Sequence, residues 1–252
     1  MKEAIIYLLA ITAAEAVTVF VQPVWGIVCH IVILVSVLLH SAIASESRLQ
    51  QLVLSLALVP LVRIISLAMP LSNIPQIWWY PIIYASLLAA AIMVVRILGY
   101  RAGDVGLSFR LFPAQVAVAL SGLMFGVAEY FILTPEPMII ELTWQEVWLP
   151  SLIFLVCTGF VEEFIFRGVL QRTAVGAFEG WGIVYVSLLF ATVHLIHYSE
   201  VGLTGILIDI GFVFAVALFF GWVVKKTGSL SGVTLSHGIT NTLLYLVVPF
   251  FL

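Results

Sequence analysis

The chain has 252 residues, of which 63% are hydrophobic and 9% charged, with a formal net charge of −3. An ordinary soluble domain carries about 25% charged residues, so this composition excludes a soluble globular protein and describes an integral membrane one. The few lysines and arginines are scattered, which excludes a nucleic-acid surface and a polybasic lipid-binding run.

At about 20 residues per span, a chain of this length holds roughly eight or nine helices joined by short loops. The expected fold is all-α, a polytopic transmembrane helical bundle forming one integral-membrane domain over 1–252. Its first stretch, MKEAIIYLLAITAAEA, has features of a signal peptide, because Lys2 precedes an apolar run followed by small residues. Apolar character resumes at Val17–Val21, and an anchored helix is the simpler reading.

Apolar runs long enough to span follow near 4–22, 24–43, 49–69, 77–99, 113–133, 147–175, 181–197, 203–224 and 231–251. Two of them are weak. The run 49–69 is interrupted by Pro60 and Arg63, and 181–197 is short, so both are expected to be interfacial or partly re-entrant if they do not cross. Connections holding Arg48, then Arg101 and Arg110, then Arg172, then Lys225 and Lys226 alternate with connections holding no Lys or Arg. Nine crossings with a cytoplasmic N-terminus satisfy the bias of basic residues toward the cytoplasmic side. Eight spans, or an outward N-terminus, remain open alternatives.

Isolated polar residues within the runs, Glu15, His30, His40, Arg63, Arg96, Glu129 and Asp209, read first as packing residues with interhelical partners or as cavity lining. Arg96 is placed to snorkel to the interface. Cys29 and Cys157 lie far apart in apolar runs, which fits free buried thiols and no disulfide framework.

The last four helices, over 147–252, are different. Residues 157–168 read CTGFVEEFIFRG, two glutamates and an arginine in an otherwise apolar run. Each charge near the centre of a spanning helix costs about 2.5–3.5 kcal/mol on insertion scales. Glu163 and Arg167 are four apart and share a helix face. Glu162, rotated by about 100°, needs another partner or a water-filled cavity. Further along, Phe190 and His194 stand at i and i+4, with His197 three residues beyond, and His237 and Asn241 share a face in the final run. Taken singly, each group has a structural explanation: a buried ion pair that fixes packing, or an interhelical hydrogen bond. Taken together they are the parts of a hydrolase, with a carboxylate to take a proton from water, imidazoles to hold that water or a metal, and an amide to stabilise an oxyanion.

Depth tests whether the groups meet. Glu162 lies about 21 Å from the end of its helix near Gly176, and His194 about 13 residues from the start of its own near Trp181, so the two come level. His237, about 9 Å past Ser231, is expected shallower, unless its helix starts inside the membrane or the site tilts toward the cytoplasm.

The ordered trio E-E-x-x-x-R, F-x-x-x-H and H-x-x-x-N resembles the CPBP family of intramembrane proteases, which groups CAAX prenyl proteases with bacteriocin-processing, abortive-infection-like enzymes. All three motifs are complete, in Glu162–Arg167, Phe190–His194 and His237–Asn241, while residues 1–146 carry no recognised motif. The resemblance implies an intramembrane endopeptidase acting on a membrane-associated peptide or protein. Whether that substrate must be prenylated is left open. It further implies Glu162 as the base, His194 as a holder of the water or of a metal, His237 and Asn241 as oxyanion support, and Glu163 with Arg167 as organisers. Glu162, His194 and His237 would make a plausible ligand set for one divalent metal such as zinc, and this tips the expectation toward a metal, although the sequence has no HExxH pair. Two readings compete: a catalytically silent immunity or scaffold protein on the same fold, and a proton-linked transporter, against which the lack of inverted repeats in the sequence argues. The expected location is the membrane, multi-pass, which in a prokaryote is the cell membrane.

Overall fold

The computed structural model describes residues 2–45 and 47–252, with the side chain of Glu200 outside that description. The described residues form helices and turns, with no strand among them. Helix α1 (Lys2–Phe20) and α2 (Pro23–Ile43) make an antiparallel pair, α2 opening on a proline whose missing N–H costs nothing in the first turn. Next come α3 (Ser47–Leu56) and α4 (Leu58–Ala68). Pro60 cannot donate to the carbonyl of Leu56, and the helix breaks between them at Ala57 before resuming. Helices α5 (Trp79–Ile97) and α6 (Phe112–Leu133) follow.

A continuous rod, Trp144–Phe178, carries the two adjacent glutamates. It is built from α7 (Trp144–Phe154), two π-helical stretches, Leu155–Glu162 and Phe164–Leu170, and α8 (Gln171–Phe178). The chain then runs through α9 (Trp181–Val193), a tight turn His194–His197, α10 (Tyr198–Thr227) and α11 (Ser231–Thr242).

Eight of these stretches are long and apolar enough to cross a membrane, and Trp181–His197 is a ninth, shorter apolar helix. The protein is an integral, multi-pass membrane protein. The broken pair α3–α4 still makes one span of 22 residues, Ser47–Ala68, and need not be interfacial. Helix α9 is short because it is interior: Val186, Leu189, Phe190 and Ala191 are buried, so its length is set by protein neighbours. Helix α1 is built into the bundle, with Ile11 and Ala14 buried and the Ala4 carbonyl accepting from the Tyr185 hydroxyl at 3.0 Å.

The apolar core joins both halves of the chain, with Ile11, Leu52, Leu87, Phe166, Leu189 and Ala217 in one cluster. Backbone proximity does the rest. A Cβ on Gly126 of α6 would stand 2.7 Å from the Thr240 carbonyl oxygen, and one on Gly122 would overlap that of Ser236, so this G-x-x-x-G pair lets α6 and α11 touch. On the opposite face of α11, a Cβ at Gly159 of the rod would lie 2.6 Å from the Thr234 oxygen, and one at Gly238 2.8 Å from the Leu155 Cα. Helix α11 is thus clamped between α6 and the rod by glycines on both sides.

The connections rich in arginine and lysine gather at one end of the bundle, where Arg48, Arg172 and Lys225 surround a single cleft. The loop RAGDVGLSFRLF folds over that end. Arg172 donates to the Asp104 carbonyl at 2.9 Å and pairs with its carboxylate at 3.2 Å, and the Leu230 N–H donates to the Gly106 carbonyl at 2.9 Å.

Candidate active site

The first motif separates its two carboxylates by environment. The Glu163 side chain is 0% exposed, and its Oε1 accepts from Arg167 Nη1 at 3.1 Å, the i to i+4 pair expected from spacing. The same oxygen accepts from His237 Nδ1 at 2.9 Å. Glu162 points elsewhere. Its side chain is 19% exposed, the Tyr84 hydroxyl donates to its Oε1, and its Oε2 lies 3.9 Å from His237 Nε2. Arg167 therefore serves Glu163, and Glu162 finds its partners on α5 and α11.

These residues sit in the π-helical part of the rod. A π-helix bonds i to i+5 and is rare outside functional sites. Helix α11 starts inside the fold: Ser229 and Leu230 are buried, at 0% and 2% exposure, and bond to Ser108 and Gly106 of the 101–112 loop. His237 stands level with the two glutamates, its ring meeting Glu163 at 2.9 Å and Glu162 at 3.9 Å, and is not shallower as expected from sequence.

Phe190 and His194 have linked roles. The Phe190 ring lies 4.2 Å beneath the Arg167 guanidinium carbon, a cation–π contact, and the Phe190 carbonyl accepts from His194 Nδ1 at 2.8 Å. Asn241 Nδ2 donates to Thr158 Oγ1 at 2.8 Å, which orients the amide and leaves its second N–H for another acceptor.

Glu162, His194, His237 and Asn241 all line one cavity of ≈ 170 Å³. That is room for several waters, each of which needs at least about 10–15 Å³. A second, more apolar cavity of ≈ 340 Å³ reaches Glu162 and His194 from the side of α4 and α5. The structure brings the six motif residues into one neighbourhood: four on the cavity wall, with Glu163 and Arg167 directly behind.

The metal expectation fares differently. His194 and His237 each commit Nδ1 to an oxygen acceptor, as metal-bound histidines do, which leaves Nε2 as the nitrogen for a ligand. Yet among the described residues no group of three His, Cys, Asp or Glu side chains is placed to hold a metal ion. Glu162, His194 and His237 share a cavity without converging on one point, so they do not form the expected ligand set in this arrangement.

Several polar residues read from sequence as isolated also come together. Glu15 accepts from Arg63 at 2.9 and 3.0 Å, and His30 lies 3.5 Å from the same carboxylate. His40 meets the Tyr7 hydroxyl at 3.0 Å, while Arg96 is exposed, as a snorkelling residue is. Glu129 lines the cavity, and Asp209 bonds His197 at 2.9 Å. Sequence reasoning missed Tyr84, Tyr80 and Thr158. The i, i+4 spacing of Tyr80 and Tyr84 in an apolar run marks a polar-tipped face, but nothing in it points 78 residues ahead to Glu162.

Residues 143–243 match the family described as Type II CAAX prenyl endopeptidase, Rce1-like, and all three motifs lie inside the matched stretch. No curated protein and no solved structure matches the chain.

Proposed function

We propose that this chain, whose residues 143–243 match the Rce1-like type II CAAX prenyl endopeptidase family, is an intramembrane endopeptidase of that type that hydrolyses a peptide bond by means of a water activated at Glu162. One observation carries the reading: of two adjacent carboxylates, Glu163 is sealed between Arg167 and His237, while Glu162 opens into a cavity shared with His194 and Asn241. A base must reach both water and substrate, and only Glu162 does.

In this reading Glu162 takes a proton as the water oxygen attacks the carbonyl carbon, and His194 Nε2 holds that water. The free amide N–H of Asn241 and the Nε2 side of His237 support the developing oxyanion, with Glu163 balancing charge on His237. Tyr84 fixes the Glu162 carboxylate. The substrate is a membrane-associated peptide, whose apolar flank fits the second cavity.

The test is cleavage of a fluorogenic peptide ending in Cys-aliphatic-aliphatic-X, with the cysteine farnesylated or free, by purified protein in lipid vesicles. Wild type is expected to cleave it, and Glu162→Gln, shown to be folded by thermal shift, to be slower by on the order of 10³-fold. Wild-type activity in the Glu162→Gln variant would remove Glu162 as the base. A comparison of the two peptides decides whether the prenyl group is needed.

A further inference from the structure

We propose that the cleft at the basic end of the bundle is a binding site for a phosphate group, with the headgroup of an anionic lipid as its source. This site is separate from the cavity that carries the hydrolytic reading, and its test is binding.

The sequence holds no basic run, yet the fold assembles a basic cluster in space. Arg48 of α3, Arg167 and Arg172 of the rod and Lys225 of α10 all line one cleft of ≈ 540 Å³. That volume falls within the range of small-ligand pockets, about 300–1,000 Å³. Asp104 is the acidic residue on the cleft wall, and Arg172 pairs with it at 3.2 Å. Arg167 is balanced by Glu163 at 3.1 Å. The side chains of Arg48 and Lys225 form no ion pair with a described residue. Of the four cations two are therefore balanced and two are left over, which makes the cleft complementary to an anion.

The walls are tied together by contacts of their own. The Tyr100 hydroxyl donates to Gln51 Oε1 at 3.2 Å, and the Tyr100 ring centroid lies 4.8 Å from the Arg172 guanidinium carbon. Gln171 Nε2 donates to the Gly221 carbonyl at 2.9 Å. These contacts link α3, the loop after α5, the rod and α10, so a ligand does not have to order them and the cost of binding is reduced.

The bias of basic residues toward the cytoplasmic side accounts for exposed cations such as Arg48 and Lys225 at this end. It does not account for Arg167, which is 3% exposed and whose Nη2 donates to no described acceptor. A buried donor of a charged group left without an acceptor is costly, and an anion at the inner end of the cleft would meet that need. The lipid source follows from the rim. The 101–112 loop, which supplies Asp104 and Gly106 to the cleft, exposes Phe109 at 86% and Phe112 at 67%. Large apolar side chains exposed beside a basic end belong in the membrane interface, at the level of the headgroups. Basic pockets between spanning helices on that side of a bilayer are suited to phosphate-bearing headgroups.

The experiment titrates the purified full chain, in neutral detergent, with short-chain phosphatidylglycerol and follows the melting temperature. Phosphatidylcholine of the same chain length, whose choline cancels the phosphate charge, and inorganic phosphate alone are the parallel arms. Phosphatidylglycerol is expected to raise the melting temperature saturably and phosphatidylcholine to leave it unchanged. In Arg48→Ala/Lys225→Ala the half-saturating concentration should rise about 10- to 30-fold. Arg110→Ala/Lys226→Ala removes the same charge from exposed residues outside the cleft wall, and should stay within about twofold of wild type. If the alanine pair does not fold, Arg48→Gln/Lys225→Gln takes its place. A response to phosphatidylglycerol alone names the headgroup as the source, and a response to inorganic phosphate with the same dependence on Arg48 and Lys225 keeps the phosphate site but moves its source to solution. Equal responses to the two lipids, or a cleft variant no weaker than the Arg110→Ala/Lys226→Ala control, would overturn the inference.

Discussion

His237 donates through Nδ1 to Glu163 Oε1 at 2.9 Å, the same oxygen that Arg167 meets at 3.1 Å. One buried carboxylate oxygen therefore joins the π-helical rod to α11, and couples the arginine of the first motif to the histidine of the third. Glu163 is thus held between Arg167 and His237.

That coupling predicts a particular cycle of variants. Breaking one side of a buried pair strands a charge at about 3–5 kcal/mol, whereas replacing both partners is often nearly neutral. Here the double change Glu163→Gln/Arg167→Met should recover much of the melting temperature lost in either single variant, because the charge is balanced again. It should not recover activity, because His237 has lost its anchor. Strictly additive losses in melting temperature would show the two residues to be uncoupled.

Tyr84 lies outside the matched stretch, on α5, and yet donates to the Glu162 carboxylate. A hydrogen bond to a charged group contributes about 1.5–3 kcal/mol to stability, so Tyr84→Phe should lower the melting temperature by about several degrees and, by freeing the carboxylate to turn, lower kcat roughly 10-fold or more. A wild-type kcat in folded Tyr84→Phe would mean that the contact does not organise the base.

The clamp on α11 makes a steric prediction. A side chain at Gly238 meets the Leu155 backbone, where a Cβ would stand 2.8 Å from Cα. Gly238→Val should cost about 1–3 kcal/mol by overpacking and should reduce activity further by drawing His237 away from Glu163. Gly99→Ala and Gly238→Ala separate backbone strain from steric pressure: a Cβ at Gly99 meets nothing within 4 Å, but φ there is +69°, so its loss should appear in stability alone. Unchanged activity in Gly238→Val would show that the close approach of rod and helix is dispensable.

Metal dependence is settled by content and chelation together. The side chains that chemistry nominates, Glu162, His194 and His237, form no group placed to hold an ion. On the proposed reading, in which Glu162 activates the water by itself, full activity is expected in protein holding less than about a tenth of an equivalent of metal, with no gain on adding zinc or cobalt. Activity that falls with chelation and returns with zinc would place a metal in the mechanism.

Much of this arrangement is legible in the sequence. Composition determines the class, because 63% hydrophobic residues and 9% charged ones leave no soluble alternative. Hydropathy locates the spans to within a few residues, and the i, i+4 rule pairs Glu163 with Arg167 and sets His237 beside Asn241. These are short-range properties: they depend on one helix and its solvent, and the chain itself states both. The ordered motifs add a family resemblance, which the match over residues 143–243 supports.

What the sequence leaves out is long-range. Nothing local says that Arg63 seeks Glu15, that Tyr84 seeks Glu162, or that Asn241 seeks Thr158, since each pair depends on which faces of separate helices meet. Two local features also escape periodicity. The rod departs from 3.6 residues per turn through the motif, and α10 breaks at Gly202, both of which move residues off the positions that regular helical arithmetic assigns. Packing decides such departures, because the energy of a wider turn or a broken helix is recovered only in contacts with other helices: glycine against backbone at Gly159 and Gly238, and a buried carboxylate against imidazole at Asp209 and His197. The sequence by itself determined the membrane, the spans and the chemical parts. Only the tertiary structure decided which glutamate faces the cavity and which lies sealed behind it, because that choice depends on partners contributed by α5 and α11.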